Sequence, residues 1–230
     1  MIESKYSRGT AFSIEIDGRE YWITARHILT GAKNRPYGTI AEKTLELKIL
    51  NPGGTRQEWL PIKFTVLQPG ADVDIAVLVP PNRLIPDTVK SPPASSDGLT
   101  FGGSCEFLGF PYGGGWKAKF AEGTFWMPYI KRCTVSGMDQ ETRLWILDGI
   151  NNVGFSGGPV IVGTGNNLKI VAVISGYIPE PAAVIRGDSN AKEAPKDTVN
   201  LNSGFILAYD IQHAVDLIKQ NPLGPLHQTK

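Results

Sequence analysis

Gly154-Phe155-Ser156-Gly157-Gly158-Pro159-Val160-Ile161-Val162 is the stretch on which the reading of this chain turns. Glycines on both sides of Ser156 let the backbone turn tightly with its N–H groups pointing inward. The residues after the serine decide the fold. Gly157-Gly158-Pro159 starts a helix poorly, and Val160-Ile161-Val162 is a β-branched run that favours a strand. The serine therefore stands at a turn leading into a strand. Taken alone, the segment also reads as a plain Gly/Pro turn between strands, so its partners must come from elsewhere in the chain.

Outward from this turn the same texture continues. Period-2 or β-rich apolar runs recur at Thr10–Ile16, Arg19–Thr24, Leu45–Leu50, Leu60–Val66 and Ile75–Val79. They resume at Ser104–Gly109, Phe120–Met127, Thr142–Leu147, Pro159–Val162, Lys169–Gly176 and Gly204–Ala208. Between the two sets, the proline-rich stretch from Pro86 to Gly98 reads as a linker. One helix is predicted. Asp210 caps it, Ile211, Ala214, Val215 and Ile218 form its apolar stripe, and Asn221-Pro222 stops it. That stripe is expected to pack on the second half. The organisation is all-β in two halves: residues 1–90 carry His27 and Asp74, 91–99 connect, 100–220 carry Ser156 and the helix, and 221–230 form a polar tail. Pro111–Lys119, with three consecutive glycines, is expected to be a mobile loop, and Pro179–Asn202 a long polar one.

Bulk properties narrow the function. With 23 basic and 22 acidic side chains among 230 residues and no like-charge block, neither nucleic acid nor an anionic membrane is an expected partner. No apolar run approaches the ~20 residues of a membrane-spanning helix, and the first residues lack the apolar core of a secretory signal. The cysteine count is only two, Cys105 and Cys133, which reads as free thiols in a reducing, cytoplasmic compartment. Whether the pair bonds is left open by the sequence.

A serine hydroxyl is a poor nucleophile until a base takes its proton. There are 3 histidines. His213 falls in the helical stripe region and His227 in the tail. His27, in Ile23-Thr24-Ala25-Arg26-His27-Ile28-Leu29, stands where a β-run ends and the chain turns, a place from which a side chain can be aimed into a cleft. The carboxylate to orient it should abut a buried strand. Asp74, in Asp72-Val73-Asp74-Ile75-Ala76-Val77-Leu78, does so, because an acid against a continuous apolar run needs a partner. Asp72 is the nearby competitor. The order His, Asp, Ser is that of the chymotrypsin group.

On these motifs the chain resembles the trypsin-like serine peptidases, closest in style to disulfide-poor bacterial members such as the HtrA proteases. The resemblance runs from about Gly9 to Lys219. Thr24–His27 resembles the family's histidine motif, Asp74–Leu78 its aspartate motif, Gly154–Pro159 its serine motif, and Val173–Tyr177 the strand that pairs with substrate backbone. Gly204–Ala208 and the helix resemble its C-terminal close. The resemblance implies two six-stranded antiparallel β-barrels with a C-terminal helix, and a serine endopeptidase acting on polypeptides without metal or cofactor. It implies His27, Asp74 and Ser156 as the triad, with Gly154 and Ser156 N–H groups as the oxyanion hole. Ile150, at the family's pocket-floor position, implies cleavage after small or medium apolar residues. Tyr177 and Gly204 form the walls, Ser175, Gly176 and Tyr177 hold substrate main chain, and Asp148 replaces Ile150 if the alignment slips by two.

The sequence also departs from the family. Ile28 stands where classical trypsins have a cysteine, and Phe155 where they have the acid that pairs with a freshly cut N-terminus. Activation by cleavage is therefore not expected, and any switching falls to residues 113–119 or 148–153. Two rivals remain. One keeps the barrels as a latent or inactive module that binds peptides or proteins. The other is an α/β-hydrolase using Asp188 or Asp197 with His213, disfavoured because its elbow needs a helix directly after the serine. The tail reads like the start of a linker to further domains or a regulatory partner.

Overall fold

The computed structural model describes residues 1–50, 58–121, 123–184 and 197–227. The segment 185–196, with Asp188 in it, and the last three residues lie outside the described residues.

The first half is one antiparallel sheet. Its strands are β1 (Ile2–Glu3), β2 (Arg8–Gly9), β3 (Ala11–Ile16), β4 (Arg19–Thr24), β5 (Thr44–Leu50), β6 (Trp59–Leu67) and β7 (Ala76–Val79). Their order is β2-β1-β5-β6-β7-β4-β3. The two outermost strands, β2 and β3, are separated in sequence by Thr10 alone, so the sheet must curl until its edges nearly meet. The expected six strands are thus seven, because the short β1–β2 pair adds an edge. β7 is wholly buried between β4 and β6, as its unbroken apolar sequence requires.

The second half is a closed six-stranded barrel. It comprises β8 (Ser104–Gly109), β11 (Tyr129–Asp139), β12 (Leu144–Asp148), β13 (Pro159–Val162), β14 (Lys169–Ala183) and β15 (Thr198–Asp210). A hairpin of β9 (Trp116–Phe120) and β10 (Gly123–Met127) stands beside it. Two loop expectations change here. Most of 111–119 is a one-turn 3-10 helix and β9. Much of 179–202 is the outer end of the β14–β15 hairpin, where Pro179 pairs with Asn202 and Ala183 with Thr198. Polar, proline-bearing sequence hides strands whose faces are both solvated, because no apolar alternation is needed there.

α1 (Arg26–Thr30) is a single turn closed by Gly31 in the left-handed region. α2 (Gln212–Gln220) follows β15, with Asp210 Oδ1 accepting the Gln212 amide at 2.8 Å. Its stripe of Ala214, Val215 and Ile218 packs with Ile14, Ile23 and Val77 of the first half. The same cluster includes Leu144, Val173 and Tyr209 of the second half, so beyond the expected packing there the helix also joins the two halves. Each fully buried aliphatic side chain in that junction contributes roughly 1.5–3 kcal/mol. The tail turns back rather than trailing away. The Glu20 amide donates to Pro225 O and the His227 amide to Gly18 O. No helix among the described residues is long and apolar enough to cross a membrane.

Candidate active site

His27 lies on α1, whose first N–H groups have no intrahelical acceptors. Asp74, two residues before β7 and fully buried, supplies one. Its Oδ1 accepts the His27 amide at 2.8 Å. Its Oδ2 lies 2.6 Å from His27 Nδ1 and accepts Ser175 Oγ at 2.5 Å. A carboxylate is an acceptor only, so His27 Nδ1 carries a proton and Nε2 is the ring's free nitrogen. Asp72 is exposed, so of the two acids Asp74 is the one facing His27.

The Asp74 turn rests on a buried cation. Arg26, 1% exposed, donates from Nη1 to Gly70 O at 3.0 Å and to Gly38 O at 3.3 Å, and from Nη2 to Pro69 O. Burial pulls the guanidinium below its usual pKa, while the charges of Asp74 and Asp72 act the other way.

Ser156 belongs to a turn whose carbonyls are tied off one by one. Val153 O accepts the Tyr112 amide at 2.7 Å, and Phe155 O the Gly158 amide at 2.8 Å. Gly154 O accepts Thr10 Oγ1 at 2.7 Å, and Ser156 O the Thr10 amide at 2.8 Å. In a trans peptide the N–H points opposite its carbonyl. The Gly154 and Ser156 amides are thereby turned away from those anchors, and neither donates to an acceptor among the described residues. Gly154 (φ 105°) and Gly157 (φ 81°) hold left-handed conformations in close quarters. A Cβ on Gly157 would come within 2.2 Å of Thr10 O, and one on Gly154 within 2.3 Å of Phe110 O.

The Ser156 hydroxyl donates to Ser175 O at 2.9 Å and not to the His27 ring. That carbonyl is available because β14 is irregular there. Ile174 pairs with Ala208 and Gly176 with Leu207, which leaves Ser175 as the extra residue of a bulge. On its other side β14 pairs with β13 only as far as Val173, so among the described residues no strand pairs with that edge of Ser175, Gly176 and Tyr177. One hydrogen-bonded path thus runs Ser156–Ser175–Asp74–His27.

Phe155, at the position of the missing acid, is fully buried and meets Phe107 edge to face, with ring centroids 4.9 Å apart. Lys131 on β11 holds the preceding loop, donating to Ile150 O and, at 2.9 Å, to Asn152 Oδ1. Partial burial lowers its pKa. Ile150 itself is 51% exposed. Gly204 O accepts the Gly149 amide at 2.8 Å, and a Cβ built on Gly204 would lie 3.8 Å from Asp148 Oδ1. Thr10, Arg26 and Lys131 were not legible as site residues. Their roles come from contacts across 144, 43 and 21 residues of chain respectively. Among the described residues, no cluster of three or more His, Cys, Asp or Glu could hold a metal ion.

Two antiparallel barrel-like sheets, one carrying His27 and Asp74 and the other Ser156, define the chymotrypsin-like double-barrel fold. No protein-family model and no curated protein matches the chain. Solved structures do. A mutant of human heparin binding protein is 14% identical with a TM-score of 0.58, over 100% of this chain and 92% of that one. The protease Anisep from Arthrobacter nicotinovorans is 15% identical with a TM-score of 0.54, over 92% and 87%. The inactive form of the Ser-to-Ala mutant of Rv3671c from M. tuberculosis H37Rv is 17% identical with a TM-score of 0.52, over 95% and 83%.

Proposed function

We propose that this chain is a serine endopeptidase in which Ser156 is the nucleophile, His27 the general base and Asp74 the group that orients His27. The observation that carries this reading is the path from Ser156 through Ser175 and Asp74 to His27, centred on a fully buried carboxylate. An extended polypeptide adds itself as a strand to the free edge at Ser175–Tyr177. In doing so, one of its N–H groups takes the Ser175 carbonyl that the Ser156 hydroxyl occupies at rest. The freed hydroxyl turns to His27 Nε2, which accepts its proton as Oγ attacks the scissile carbonyl. The negative oxygen that forms is stabilised by the Gly154 and Ser156 amides, whose carbonyl partners are already anchored and need not reorganise. His27 then protonates the leaving amine, and water resolves the acyl-enzyme. Cleavage falls after small or medium apolar residues, with Ile150 at the pocket and Tyr177 and Gly204 beside it. A peptide panel cut only after Lys or Arg would shift that role to Asp148.

A second reading keeps the strand-binding edge and drops the chemistry. It is favoured by the Ser156 hydroxyl resting on Ser175 rather than His27. A fluorophosphonate probe separates the two. Labelling of Ser156 in the wild type, and not in Ser156→Ala or His27→Ala, is the peptidase result. A folded protein that binds peptide and never labels would be a binding module.

A further inference from the structure

Cys105 and Cys133 face each other across β8 and β11 as directly paired residues. Directly opposed residues on antiparallel strands have Cα atoms ~4.5–5.5 Å apart, inside the ~4.4–6.8 Å that a disulfide spans. Both thiols are buried, at 2% and 3% exposure, and their sulfurs lie 2.9 Å apart. Only about 0.9 Å more approach brings them to bonding distance. Neither thiol has a part in the chemistry proposed above. The geometry points to a modification site: a reversible Cys105–Cys133 disulfide, formed by a small oxidant of the peroxide class, that clamps the barrel beneath the loop leading to Ser156.

The chemistry balances within the pair. The Cys105 thiolate attacks peroxide, forming an S–O bond as the O–O bond breaks and hydroxide leaves, to be protonated to water. The Cys133 sulfur then attacks the sulfenic sulfur of Cys105, forming the S–S bond and releasing a second water. The two thiols give up two protons and two electrons, and the peroxide becomes two waters. The asymmetry of the site favours this order. The contact between the two sulfurs draws the Cys105 thiol below its usual range, and the same contact with burial pushes the Cys133 thiol up, so Cys105 is the sulfur that ionises first.

The link to the loop is direct. A Cβ built on Gly149 would lie 3.3 Å from Cys133 Cβ and 3.2 Å from Ile206 Cδ1, so the backbone at Gly149 rests on Cys133. Gly149 immediately precedes Ile150, and Phe155 shares the core cluster of the two cysteines. Drawing β8 and β11 together therefore tightens the floor on which residues 149–155 sit.

The test treats the purified full chain with hydrogen peroxide. It reads free thiols in denaturant, intact mass, peptide mapping, Tm and amide hydrogen exchange. Expected are a monomer that has lost two hydrogens and both thiols, and a mapped 105–133 cross-link. Also expected are a Tm higher by roughly 5–10 °C, slower exchange over residues 149–154, and full reversal by dithiothreitol. Cys105→Ala and Cys133→Ala, made separately, should each show no such rise. Thiols that survive saturating peroxide, added oxygen without a cross-link, or a cross-link between two chains would overturn the site. A cross-link that leaves exchange over 149–154 unchanged would overturn the clamp on the loop.

Discussion

The two halves of the molecule bring unequal degrees of order to the candidate site. The first half holds His27 from two directions, its amide and its ring both tied to Asp74. Asp74 is fully buried and sits on a turn held by the buried Arg26. The backbone around Ser156 is held as firmly, in part by Thr10 of the first half, yet the Ser156 hydroxyl is turned to Ser175 O. In the proposed mechanism the base is held in advance, and the nucleophile must leave Ser175 O before it can act. Placing the adjustable part on a hydroxyl is the economical arrangement: rotating a serine about χ1 disturbs no packing, whereas moving a buried carboxylate would strand three donors.

The comparison breaks most decisively at Ser156. Ser156→Ala should lower peptide turnover by roughly 10⁶-fold with the fold unchanged, measured as kcat against a cleaved peptide. Retained turnover would remove Ser156 as nucleophile and with it the asymmetry. Asp74→Asn tests the rigid half. The amide fills the same space but no longer imposes a single His27 tautomer, so kcat should fall by about 10⁴-fold while the urea midpoint moves little. A large midpoint shift with little kinetic loss would make Asp74 a structural cap.

Two smaller changes sharpen the contrast. Gly157→Ala should cost about 3 kcal/mol or more of stability, since its Cβ would run into Thr10 O and its φ is left-handed. Denaturant unfolding reads that directly, and a neutral result would mean that the turn is not anchored to the first half. Ser175→Ala removes the Oγ donor to Asp74 and leaves the Ser175 carbonyl in place. It should slow kcat by about 10-fold, the size expected from one hydrogen bond to a charged group, with KM nearly unchanged. A rise in KM instead would place the effect on the substrate edge.

Much of this was legible because local sequence rules apply where one face of a strand is buried. β3, β4, β7, β8 and β12 have alternating or continuous apolar sequences and fall close to where those patterns place them. The turn at Ser156 was legible for a similar reason, since Gly154 and Gly157 are needed for their left-handed φ. β11, carrying Lys131 and Cys133, follows no apolar alternation at its start, where Tyr129 and Ile130 are both exposed. The outer ends of β14 and β15 escape for the same reason. The Ser175 side chain is a different kind of miss. Its segment reads as a substrate-binding strand, but the bulge that turns Oγ onto Asp74 depends on the register with β15, which no local pattern encodes.

The smallest predicted effect concerns the histidine of the second half. His213 Nδ1 faces the Arg143 Nη2 at 3.3 Å, and its Nε2 lies 2.9 Å from Thr142 O. A guanidinium only donates and a carbonyl only accepts, so Nδ1 must accept and Nε2 must carry the proton. A second proton on Nδ1 would point at the Arg143 cation. Burial, with a smaller contribution from Arg143, holds the His213 pKa below its usual value, against the opposite pull of the Thr142 carbonyl, Asp210 and Asp216. With the folded pKa below the unfolded ~6.5, the unfolded chain takes up the proton first as the pH drops. The stability that neutral His213 contributes is therefore present in full above pH ~6.5. It drains away below that, across the interval down to the lower folded value. His213→Gln, which keeps a donor and an acceptor but cannot titrate, should flatten the fall in Tm that sets in below about pH 6.5 and leave Tm at pH 8 nearly unchanged. Where His27 meets a carboxylate, His213 meets a cation, and an unchanged acid slope in His213→Gln would mean that the second half's response to acid comes from other groups.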